Sequence, residues 1–122
     1  MEFKVGTQRL DDGTCVVSVA GEIDMYTAPE FERQLLGAAG NGGGSLIVDL
    51  CECTLIESTA LGILIEGHRR LEGSARSLVL ISDDVNIRKV FDVTGLDRVL
   101  TICHSRAEAL NGRPLRSPGA FL

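Results

Sequence analysis

Between Leu46 and Leu71 the chain reads LIVDLCECTLIESTALGILIEGHRRL, and Glu57, Ser58 and Thr59 stand where an apolar run gives way to a helical pattern. A hydroxyl at that junction can cap a helix by accepting hydrogen bonds from its first amides. One cap uses one hydroxyl, which leaves a second hydroxyl and a carboxylate at the carboxyl end of an interior strand, where open α/β sheets place their sites. The enzymatic alternative makes Ser58 a nucleophile with His68 as its base. A nucleophile and base must lie within roughly 3 Å, but Ser58 and His68 fall on one helix at a separation of about 15 Å along its axis. The G-x-S-x-G pattern is absent, and the other histidine, His104, lies beyond the last predicted strand. Serine hydrolysis is therefore disfavoured, and His68 reads as a helix residue beside the core stripe.

Two other stretches invite chemistry. GNGGGS is glycine-rich, but its glycines close a helix and precede a strand, with no Lys-Ser or Lys-Thr following. A phosphate cradle needs the opposite order, strand then helix. Cys51 and Cys53 stand two apart on an extended segment, so both thiols are expected on one side. No further ligands occur at metal-binding spacings. Small buried hydrophobes are the favoured reading, with a strained bridge or a redox sensor as the alternative.

Composition bounds the rest. The chain has 122 residues, 44% hydrophobic and 24% charged, with a formal net charge of -5. This suits a single globular domain and disfavours nucleic-acid or anionic-membrane partners. No signal peptide or membrane-spanning run is legible, so a cytoplasmic protein with four reduced cysteines is expected.

The elements that must position the junction follow from periodicity. Phe3–Arg9 and Thr14–Ala20 flank the turn DDG and read as a hairpin. Thr27 and Glu30 predict a capping box, with Tyr26 and Phe31 as a hydrophobic staple, for a helix whose stripe is Phe31, Leu35 and Ala39. Leu46–Leu50 is an interior strand. The helix after Ser58 is expected to bury Leu61, Leu64, Ile65 and Leu71. Ser77–Ser82 is a strand, and Asp83 or Asp84 caps a helix with stripe Ile87, Val90 and Phe91, stopped by Gly95. Val99–Cys103 is a last strand, and Ser105 with Glu108 caps a short helix through Leu110. Strands alternating with helices predict an α/β fold with a mostly parallel sheet. Residues 1–110 form the domain, and residues 111–122 are expected to be a disordered tail.

Three ordered segments, VAGEIDMYTAPEFERQL, LIVDLCECTLIESTALGILI and VFDVTGLDRVLTI, resemble the STAS domain of bacterial anti-sigma factor antagonists. The resemblance implies a mostly parallel mixed sheet of four to five strands with about four helices. It also implies a non-enzymatic, cytoplasmic regulator without cofactor or metal, acting by partner switching in transcription and stress response. Its partner would be an anti-sigma factor with serine kinase activity, which it binds so that the sigma factor is freed. Phosphorylation of one serine would turn binding off, and a serine phosphatase would restore it. The family's Asp-Ser-Ser/Thr-Gly/Ala-Leu-Gly pattern falls on Glu57-Ser58-Thr59-Ala60-Leu61-Gly62. Ser58 thereby inherits the phospho-acceptor role, with Thr59 as runner-up. Glu57 stands where the family has aspartate, which moves the carboxylate outward by a methylene. Asp24, Tyr26, Thr27, Glu57, Ser58, Thr59 and Gly62 are the expected partner contacts. A monomer or weak dimer is expected. Two alternatives stay open: a ligand-sensing or scaffolding STAS module without phosphate turnover, and an antagonist under redox control through Cys51 and Cys53.

Overall fold

The computed structural model describes residues 2–41 and 43–112. Its elements are β1 (Lys4–Arg9), β2 (Cys15–Ile23), α1 (Ala28–Asn41), β3 (Leu46–Ile56), α2 (Ser58–Glu72), β4 (Leu78–Ile81), α3 (Val85–Thr94), β5 (Thr101–Cys103) and α4 (Arg106–Gly112). A single 3-10 turn, Leu96–Arg98, separates α3 from β5. The five strands lie in the order β1-β2-β3-β4-β5. Only the β1–β2 hairpin is antiparallel, and the other pairs are parallel. The mostly parallel α/β architecture is therefore as the alternation predicts. The C-terminal helix runs two residues past Leu110, and the rest of the expected tail lies outside the described residues.

The sheet is covered unequally. On one face, Val17, Val19, Val48, Leu50 and Leu80 meet Phe31 and Leu35 of α1, Ala60, Leu64 and Leu71 of α2, and Ile87 and Phe91 of α3. On the other, Val16, Ile47, Val79 and Ile81 meet Ala109 and Leu110 of α4. Interior strands buried on both faces read as continuous apolar runs, as β4 does with all four residues buried.

Several local expectations are corrected. The buried side of α2 is Ala60, Ile63, Leu64, Gly67 and Leu71, with Leu61 and Ile65 only flanking the core. The stripe is rotated because Gly67 lets α2 approach α1 closely. A Cβ there would lie 3.3 Å from Leu35 Cδ2 and 3.2 Å from Leu78 Cδ1. Strand β3 is 11 residues long and continues to Ile56. Its pairing with β2 shifts register between Ser18 and Ala20 and again between Gly21 and Glu22. Each shift inserts one extra β3 residue, and such bulges break the alternation of faces. Gly21 takes φ +92° at the second shift, with the Phe3 backbone where a Cβ would project. Cys51 is consequently exposed and Cys53 buried, so the two thiols do not share a face.

Caps distribute as follows. Asp84 caps α3, its carboxylate accepting from the Asn86 and Ile87 amides. Gly95 closes α3 in the left-handed region, φ +79°, the conformation glycine adopts without strain. At α4 the Ser105 hydroxyl accepts from Glu108 N at 3.1 Å, while the Glu108 carboxylate reaches the amide of His104 at 2.6 Å.

Candidate functional site

The site lies at the carboxyl ends of β2 and β3. Ile23 pairs with Ile56, and one residue on, the Glu57 amide donates to the Ile23 carbonyl at 3.0 Å. That bond ties the start of α2 to the turn after β2. The segments 21–27 and 51–62 therefore form one surface, although about thirty residues separate them in sequence.

The turn 24–27 is held by a reciprocal pair of bonds. Asp24 Oδ1 accepts from the amides of Tyr26 at 2.9 Å and Thr27 at 3.0 Å. Thr27 Oγ1 accepts from the Asp24 amide at 2.9 Å and donates to the Glu22 carbonyl at 2.8 Å. The Ala28 amide donates to the Asp24 carbonyl at 2.8 Å. This is a capping box, but it is built on Asp24 and Thr27 and not on Thr27 and Glu30. Glu30 instead pairs with Arg33. Tyr26 is 84% exposed, so the expected staple to Phe31 does not form. The Thr27 amide above all, with the Tyr26 amide and the Thr27 hydroxyl, holds the Asp24 carboxyl below its ordinary range against the opposing effect of burial.

At the second half of the site, Glu57 occupies the N-cap of α2 in an extended conformation, and no side chain caps the helix. Ser58 is thus the first helical residue and not its cap. Ser58, Thr59 and Gly62 are all exposed. Gly62 lies one turn below Ser58 on the same face, and a Cβ there would meet nothing within 4 Å. His68 lies on the same helix, as expected, beside Glu72 at 3.9 Å.

Segments 21–27 and 51–62 carry Glu22, Asp24, Glu52 and Glu57 and no Lys, Arg or His. The basic residues of α2, Arg69 and Arg70, stand in its last turn. Two residues missed by the sequence reading belong here: Met25, 66% exposed, and Leu55, 40% exposed. Met25 had a legible signal, since it adjoins Tyr26 between a strand and a helix and fits the stripe of neither.

Ser58 lines none of three surface grooves, one of which, about 450 Å³, lies on the bare sheet face between Lys4, Ser18, Asp49, Cys51 and Arg106. Arg106 bridges to Asp49 there at 2.9 Å and joins α4 to β3. The Cys51 thiol is pushed up to about 11, by partial burial first and then by the Asp49 carboxylate beside it. Burial likewise raises Cys53. Both thiols stay protonated at neutral pH, which works against redox control, because the thiolate is the reactive form. Among the described residues no cluster of three or more His, Cys, Asp or Glu could hold a metal ion. Among them also, no helix is long and apolar enough to cross a membrane.

Comparison with known proteins agrees with this fold. The chain is 30% identical over 112 residues to an anti-sigma-B factor antagonist of Listeria monocytogenes, covering 92% of this chain and 97% of that one. An anti-sigma factor antagonist from Mycobacterium paratuberculosis superposes with a TM-score of 0.84 at 28% identity, covering 91% and 93% of the two chains. The Bacillus cell fate determinant SpoIIAA in its phosphorylated form shares the fold, with a TM-score of 0.69 at 20% identity and coverage of 88% and 97%. Residues 7–102 match the family described as "Mlab, STAS domain". With that match spanning most of the chain, this protein belongs to the STAS-domain family.

Proposed function

We propose that this chain is an anti-sigma factor antagonist. It binds a kinase-type anti-sigma factor through the surface of turn 24–27 and the start of α2, so freeing a sigma factor, and phosphorylation of Ser58 turns the binding off. The relatives named above support the antagonist role. The observation that carries the switch is the exposed Ser58 hydroxyl on the first residue of an uncapped helix, tied through Glu57 and Ile23 to the turn after β2. Neither turn 24–27 nor the start of α2 lines any of the three grooves, which suits a macromolecular partner better than a small ligand.

The chemistry asks little of this chain. A partner kinase would transfer the terminal phosphoryl group of ATP to Ser58 Oγ, leaving ADP, and a phosphatase would later hydrolyse the ester. The antagonist contributes an accessible hydroxyl and a place for the product. A phosphoserine adds about 1.5 to 2 negative charges at neutral pH, and the amino end of α2 favours negative charge. The fold accommodates the phosphate while a tightly packed partner surface does not. The test compares wild type, Ser58→Ala and Thr59→Ala in partner affinity and in phosphate incorporated from ATP. Ser58→Ala is expected to bind and to resist phosphorylation. Normal labelling of Ser58→Ala with none on Thr59→Ala would move the switch to Thr59. A kinase that binds the protein yet modifies neither hydroxyl would end the switch mechanism.

A further inference from the structure

The turn after β2 combines features that the fold itself does not require. Its carboxylate faces inward, with Asp24 Oδ1 engaged by the Tyr26 and Thr27 amides. Its two large side chains face outward, Met25 at 66% and Tyr26 at 84% exposure. The capping box fixes the backbone of all four residues, and Thr27 anchors it to β2 through the Glu22 carbonyl. A rigid backbone presenting a thioether and an aromatic ring to solvent has already lost the freedom that binding would otherwise remove. Tyrosine is among the residues enriched at the hot spots of protein interfaces. Leu55, at 40% exposure, lies across the β2–β3 pairing opposite Glu22. Glu22 and Glu57 are the acids next to it in these segments, which carry no base, while Glu52 lines the sheet-face groove together with Lys4 and Arg106.

We infer that Met25 and Tyr26 are the anchor by which the anti-sigma factor is held, and that Asp24 is a positioning residue that fixes this anchor without itself touching the partner. The partner accordingly presents an apolar pocket for Tyr26 and Met25, rimmed by Lys or Arg facing Glu22 and Glu57. This inference rests on the reading of the chain as an anti-sigma factor antagonist. It places the phosphorylated residue beside the anchor, so that a phosphate on Ser58 holds the partner's pocket away from Tyr26.

The roles separate experimentally because asparagine at position 24 keeps an oxygen that accepts both amides but loses the charge. The probe is the purified serine-kinase anti-sigma factor of the same organism, with affinity measured by calorimetry and association rates by surface plasmon resonance. Tyr26→Ala, and the double variant with Met25→Ala, are expected to weaken binding about tenfold or more, as truncation of a central anchor does, with unchanged thermal midpoints. Asp24→Ala is expected to weaken binding several-fold and to speed hydrogen exchange at the Tyr26 and Thr27 amides. Asp24→Asn is expected to restore most of the affinity and the slow exchange. Association should slow several-fold between about 50 and 500 mM NaCl, as steering between opposite charges does.

Wild-type affinity in the double variant would overturn the anchor. Equal losses in Asp24→Asn and Asp24→Ala would overturn the positioning role, since the charge itself would then be contacting the partner. Salt-independent association would overturn the cationic rim. If the wild type fails to bind the purified anti-sigma factor, the antagonist reading falls and this inference with it. Binding by the wild type with no loss in the variants would remove the inference alone.

Discussion

Placing charge on Ser58 tests whether the switch acts on the interface or on the fold. Ser58 is the first residue of α2, and the helix end carries no side-chain cap. Ser58→Glu puts a carboxylate in the first turn, where the helix dipole contributes about 0.3–1 kcal/mol. Glu57 is its sequence neighbour, and because adjacent helix positions do not face each other its repulsion offsets no more than about 0.3 kcal/mol of that gain. The net expectation is a change between about 0 and +1 kcal/mol. An unfolding entropy of about 2.1 cal/mol/K per residue over 122 residues converts each kcal/mol into roughly 4 °C. Ser58→Glu should therefore shift Tm upward by about 0–4 °C, and the gain should shrink in about 0.5 M NaCl, where the Debye length falls below about 5 Å. Ser58→Ala should stay within about 0.5 kcal/mol, the range of surface changes, because Glu57 and not Ser58 holds the N-cap position. Calorimetric scans of the three proteins at low and high salt decide the matter. A fall of more than about 4 °C in Ser58→Glu, equivalent to about 1 kcal/mol, would mean that the modification acts by unfolding α2. A loss of about 1 kcal/mol or more in Ser58→Ala would show the hydroxyl to be a cap after all.

Asp84→Ala should cost about 0.5–2 kcal/mol in chemical denaturation, because two amides of α3 lose their acceptor; an unchanged midpoint would count against that cap. Gly95→Ala should cost about 1–2 kcal/mol from the left-handed backbone alone, since a Cβ there meets nothing within 4 Å. Gly95→Asn should recover part of that loss. The Asp24 carboxyl titrates below its ordinary value of 3.8 in the folded protein. Its contribution to stability is thus complete above that value and disappears as pH falls through the lower folded value. The Tyr26 and Thr27 amide resonances should report this transition, and movement of both above pH 5 would contradict the capping box. Denatured, rapidly quenched protein should count four free thiols. In the folded protein, alkylation of Cys51 should accelerate as pH approaches about 11; a thiolate already formed at neutral pH would reopen redox control.

Much of this protein is determined by short-range patterning. The element order follows from where apolar period gives way to turn residues, and the parallel sheet follows from helices intervening between strands. Gly95 was legible as the stop, and the cap was legible as Asp83 or Asp84, because those roles depend on a single residue's backbone or side chain; the structure gives the cap to Asp84. Ser58 was legible as a junction because strand and helix periodicities meet there. The tertiary structure decided what several competing local solutions left open. D-M-Y-T and T-A-P-E both offer a cap residue and a polar side chain three positions on. The first pair forms the box because β2, paired along β3 as far as Ile23 and Ile56, ends just ahead of Asp24. The faces of Cys51 and Cys53 likewise depend on two bulges, which belong to the pairing of β3 with β2 and to neither strand alone. The rotation of α2 is set by how closely α1 approaches Gly67, a packing distance that periodicity cannot supply. Exposure of Tyr26 has the same origin. A residue that suits a staple becomes a surface feature once the turn holding it is fixed by bonds to the neighbouring strand.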